Sequence, residues 1–136
     1  MLKNTVAIAL ILLFSAFSPA AKLCPKKKNT VIGKWTWVKT RCCYIYPKTK
    51  TPDSCQCSKS LELYKNGKYT IIKDGDTAES GVYTLKKGLD IMNPADQTPL
   101  INIGSSAPAI YRFDHDTLVL NRGYMDLETE YYVRKK

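Results

Sequence analysis

The stretch Gly33-Lys34-Trp35-Thr36-Trp37-Val38 (33–38, GKWTWV) places two tryptophans two residues apart, just after a glycine. Side chains on a strand alternate between its faces, so Trp35 and Trp37 share one side. Two indoles on one side of an extended segment need a covering wall. Behind that wall lies either a solid core or a cavity that holds a ligand.

Downstream, period-two segments recur between turn residues. After the first, 31–39, come Ser60–Tyr64, Tyr69–Ile72, Ser80–Leu85, Leu89–Met92, Leu100–Ile103, Ala109–Phe113, Thr117–Leu120 and Thr129–Arg134. Asn66-Gly67 predicts a two-residue hairpin loop, since both residues tolerate left-handed backbone values. Asp74-Gly75-Asp76, Lys87-Gly88 and Asp114-His115-Asp116 punctuate the chain elsewhere, and Pro94, Pro99 and Pro108 break up the stretch around Leu100. There is no convincing helical period, repeat or low-complexity tract. The expected fold is all-β: one small antiparallel up-and-down barrel of about eight strands.

The N-terminus reads differently. Residues 1–20, MLKNTVAIALILLFSAFSPA, join a lone Lys3, an apolar run from Val6 to Phe14 and small residues at Ser18-Pro19-Ala20. This is the pattern of an export signal, too short and too weakly flanked for a membrane anchor. The expected organisation is a signal peptide (1–20), a basic arm (21–29) and a barrel (30–136) with a Cys-rich loop at 40–58. About 115 residues follow the signal, enough for one domain with a modest core. Localisation is therefore expected in the periplasm or outside the cell. A lipid-anchored outer-membrane form through Cys24 ranks lower, because bulky Leu23 and charged Lys22 precede that cysteine.

The formal net charge of +9 is unevenly spread. From Lys22 to Lys50 there are nine basic residues and no acidic one; from Thr51 onward eleven basic residues face twelve acidic. The positive character belongs to the arm and the first loop, and it suits an envelope protein or an anionic surface as partner. Nucleic acid is not expected, since no recognition motif is present. Nor is a transmembrane segment, and the chain is expected to be monomeric.

Cys42 and Cys43 are adjacent, and Cys55 and Cys57 flank Gln56. In an oxidising compartment these four should pair across the loop, as 42–57 with 43–55 or as 42–55 with 43–57. Either bridge would be worth about 3 kcal/mol by loop-closure entropy. A zinc site ranks lower because Cys-x-x-Cys knuckles are missing. No metal and no cofactor are expected. His115, the only histidine, sits in an acidic turn, and no nucleophile has an evident base, so a catalytic role is not expected.

Gly-x-Trp opening an up-and-down series of strands resembles the lipocalin and fatty-acid-binding group, and more closely small exported bacterial lipocalin-like proteins. The matching pieces are IGKWTWVK (32–39), KSLELYKNGKYTI (59–71), SGVYTL (80–85), DTLVL (116–120) and YYVRK (131–135). The resemblance implies that Trp35 plugs one end of the barrel and that an arginine packs over it, Arg134 first and Arg122 as runner-up. The chain departs from the group in its shortness, its cysteine excursion and the lack of a C-terminal helix.

Alternation places Trp37 one step above Trp35, with Leu61 and Leu63, Tyr69 and Ile71, Tyr83 and Leu85, and Tyr111 and Phe113 able to point in with it. Trp37, Tyr69, Tyr83 and Tyr111 are the candidate ligand-lining residues, since a phenol joins an apolar face to a polar tip. So many large groups also tend to fill a short barrel. Two functions follow as expectations: a non-catalytic carrier of a small apolar or amphipathic molecule, or an envelope adaptor or enzyme inhibitor acting from the rim through the 42–57 loop.

Overall fold

A computed structural model describes residues 29–43, 46, 48–90, 93–122 and 128–136. The expected signal peptide, Cys24 and most of the expected basic arm lie outside the described residues. The elements are β1 (Gly33–Cys42), β2 (Lys48–Lys50), a single helical turn α1 (Pro52–Cys55), β3 (Lys59–Leu63), β4 (Lys68–Lys73), β5 (Asp76–Asp90), β6 (Asn93–Ile103), β7 (Ala109–Asp114), β8 (Thr117–Asn121) and β9 (Thr129–Arg134). From β3 onward each strand pairs antiparallel with the next, and β9 returns to β1, from Trp35↔Arg134 to Arg41↔Thr129. β2 only extends the hairpin at the end of β1, so the closed wall is an eight-stranded antiparallel barrel.

Two bulges help close it. Between Trp37 and Lys39 the register against β9 slips, with Val38 as the extra residue, so the inward parity passes from Trp35 and Trp37 to Thr40. Between Ile71 and Ile72 a second slip leaves Ala78 unpaired on β5. Each such residue bends its strand and increases the local twist that closure requires.

Turn chemistry fixes the hairpins. Asp74 and Gly75 both take positive φ, 51° and 92°, the signature of the two-residue type I′ loop joining Lys73 to Asp76. The Asn66-Gly67 loop differs from expectation. Tyr64 N–H donates to Lys68 O, Gly67 N–H donates to Tyr64 O, and only Gly67 is left-handed, at φ 81°. The loop is three residues long, a type I turn closed by a glycine bulge, and this sets the Leu63↔Tyr69 register. Lys87-Gly88 does not turn the chain at all. β5 runs through it to Asp90, because Leu100 of β6 packs over Gly88 and the pairing continues unbroken from Tyr83↔Ile103 to Leu89↔Gln97.

The barrel has a floor where β1 begins and a mouth where β1 ends. Buried core residues include Trp35, Trp37, Leu61, Leu63, Tyr69, Tyr83, Ile101, Leu118, Leu120 and Tyr132, with Ile71, Tyr111 and Phe113 packed against them. Leu85, expected inside, is 47% exposed: β4 stops pairing at Val82, so beyond that point the inward face of β5 no longer faces a lumen. β7 pairs β6 only at Leu100 and Ile101. The part of β6 before Leu100, together with the end of β5, therefore projects past the floor as a two-stranded ribbon.

Candidate functional site

At the floor, Trp35 is 1% exposed and its indole N–H donates to Val31 O at 2.7 Å. The Arg134 guanidinium lies 4.1 Å from the centroid of the Trp35 ring. Its two terminal nitrogens donate to Ile32 O at 3.0 Å and Thr30 O at 2.6 Å. The guanidinium thus ties the entering chain across the indole face, a charged group satisfied by carbonyl dipoles and a π-cloud. Gly33, at φ 140°, makes room for it, since a Cβ there would come within 2.6 Å of Arg134 Nη1. Arg122 is at the other end of the barrel, donating to Ala107 O at 2.7 Å.

The polar tips of three candidate ligand-lining residues are engaged within the chain. Trp37 N–H donates to Thr40 Oγ1 at 2.8 Å. Tyr83 hydroxyl donates to Tyr64 O at 2.9 Å. Tyr69 hydroxyl donates to Glu79 Oε1 at 2.5 Å, and this bond, reinforced by burial and by the Glu79 charge, pushes the phenol up to about 12. Tyr111 is half-buried, edge-on to Phe113 with centroids 6.1 Å apart.

Sequence reading missed the polar ring at the mouth. Glu130, only 7% exposed, accepts from Lys59 Nζ at 2.5 Å and lies 3.6 Å from Arg122 Nη2. Tyr132 lies beneath, its phenol pushed well above the ordinary range by burial first and by the Glu130 carboxylate second. Parity held the signal: Lys59 shares its face with Leu61 and Leu63, and Glu130 shares its face with Tyr132 and Arg134. A cavity of about 230 Å³ opens there beside Trp37, Thr40, Cys57, Lys59, Lys73 and Glu130. Another of about 130 Å³ reaches Leu61, Arg122 and Tyr132. Both fall below the roughly 300 Å³ at which drug-sized sites begin.

The cysteines do not pair across the loop. Cys42 bonds Cys43, and Cys55 bonds Cys57. The reason is the β1–β2 hairpin, whose register Thr40↔Lys50 and Cys42↔Lys48 carries Cys42 and Cys43 out to its tip. Cys55 and Cys57 stay behind, partly buried against the core. Between the pairs, Thr51 caps α1 through a reciprocal capping box with Ser54. The hairpin presents Arg41, Lys48 and Lys50 to solvent, with Tyr46 78% exposed. Tyr44 and Ile45 lie outside the described residues.

His115 is fully exposed in its turn beside Asp114. Among the described residues no group of His, Cys, Asp and Glu side chains is placed to hold a metal ion, and no helix is long and apolar enough to cross a membrane. Comparison with protein-family models, curated proteins and solved structures finds no match. A closed antiparallel barrel of this kind is compatible with a binding protein.

Proposed function

We propose that the chain is an exported, non-catalytic, lipocalin-like binding protein that acts from the rim of its mouth on an envelope protein or anionic surface. The observation that carries this reading is the engagement of Trp37, Tyr69 and Tyr83 by partners within the chain, in a lumen whose floor half is occupied by core side chains. A site for an apolar molecule needs unfilled apolar volume and polar groups left free to orient the ligand. The rim hairpin instead offers an exposed aromatic, Tyr46, among basic side chains, which is good interface material. The likeness to the lipocalin group draws support from the closed up-and-down wall, the Gly33-x-Trp35 opening and the guanidinium over the indole. Export draws support from the apolar segment at 6–14 and from the two cysteine pairs.

A second reading, capture of a small amphipathic molecule, is favoured by one observation, the 230 Å³ cavity beside Trp37. The test is photo-crosslinking from position 46 in the native host. A discrete adduct that disappears in the Arg41→Glu/Lys48→Glu/Lys50→Glu variant is expected. An adduct pattern unchanged by the triple variant would remove the rim reading.

A further inference from the structure

The projecting ribbon leaves one strand edge open. Tyr83 N–H is directed away from β6 and donates to Gly67 O at 2.8 Å, while Val82 O, on the other side, accepts from Gly104 N–H. Strand alternation then directs the N–H and C=O groups of Leu85, Lys87 and Leu89 outward, to the side where β4 has ended. Among the described residues nothing pairs with them. The opposite edge is blunted: Lys87↔Pro99 is a pair whose proline nitrogen faces away from β5, so a donor is missing from the outer side of β6.

An open edge of this length is a template for another strand. A ribbon of two strands is also marginal alone and gains from a third. The side chains along the edge specify the occupant. Leu85 and Leu89 are 47% and 67% exposed, and Lys87 lies between them on the same face. From Gly81 to Leu89 the strand carries Lys86 and Lys87 and no acidic residue. A second copy of the chain is disfavoured, because antiparallel self-pairing centred on Lys87 would set two lysines directly opposite each other.

We propose that the β5 edge at Leu85–Leu89 docks an extended segment of a partner protein as an added strand, with an acidic residue opposite Lys87 and an apolar residue two positions to either side. Main-chain bonds to Leu85, Lys87 and Leu89 supply affinity, and the alternate side chains supply selectivity. This surface lies at the floor end and is independent of the rim reading. Where the edge begins, a shallow groove of about 530 Å³ bordered by Tyr64, Lys68, Thr70 and Val82 gives the docked segment room to continue.

The test uses the whole mature protein labelled with ¹⁵N and a synthetic peptide with Val-Thr-Glu-Thr-Val at its centre. Amide shifts are expected along 84–90 and 97–102, with no change in the β1–β2 hairpin. Lys87→Glu should weaken the peptide about fivefold or more and restore binding to a peptide with Lys in place of Glu. Leu85→Pro, which deletes an outward donor and leaves the bonds to β6 intact, should abolish binding while the spectrum stays folded. Shifts confined to the mouth, Lys87→Glu binding within twofold of the parent, or self-association through this edge in place of peptide binding would each overturn the proposal.

Discussion

Arg134 illustrates how much one side chain can hold at the residue scale. It covers Trp35 and donates to two carbonyls of the entering chain, so Arg134→Met removes a cation–π contact and leaves Thr30 O and Ile32 O without that partner. The expected loss is about 2–4 kcal/mol in urea denaturation. Arg134→Lys should recover only part of it, since an ammonium cannot reach both carbonyls with a planar fork. Tyr69 gives a pH-dependent outcome. Its phenol titrates at about 12 in the fold, against about 10 for the unfolded chain. Below about pH 10 both states keep the proton and the contribution is complete. As pH rises through about 10–12 the unfolded chain loses its proton first, and stability falls. Thermal melting of the parent should therefore drop more between about pH 10 and 12 than that of Tyr69→Phe, and Glu79→Gln should lie between them. Equal drops in all three would contradict the Tyr69–Glu79 assignment.

At the scale of elements, the cysteine segment is a hairpin, a capped turn and two local bridges. Tryptic digestion without reduction, after Arg41, Lys48 and Lys50, distinguishes these from cross-loop bridges. The peptide holding Cys42 and Cys43 is expected to run free of the one holding Cys55 and Cys57; a disulfide-linked pair of peptides would contradict the local bridges. Parity and turn residues made most strands legible in the sequence: Trp35, Leu61, Leu63, Tyr69 and Tyr132 alternate as buried residues should. Three things were not legible, each for a physical reason. Adjacent cysteines do not reveal the register of the hairpin that carries them. A lysine–glycine step reads as a turn, although Gly88 is small because Leu100 packs over it. The Lys59–Glu130 pair depends on strands more than seventy positions apart meeting across the mouth, which no local pattern encodes.

For the molecule as a whole, core side chains occupy much of the barrel interior, and the two proposed recognition surfaces lie at its ends. The floor is closed by an indole, a guanidinium and the entering chain, and the mouth by a charged ring over Tyr132. Glu130→Ala should confirm that this ring is structural, costing about 2–4 kcal/mol by leaving Lys59 and Arg122 without their carboxylate. Titration of the protein with a fluorescent fatty acid, followed by tryptophan emission, tests the proposal that the lumen carries no apolar cargo. No saturable signal and no quenching of Trp37 are expected. Saturable one-to-one binding that quenches Trp37 and is lost on filling the cavity with Thr40→Trp would contradict it.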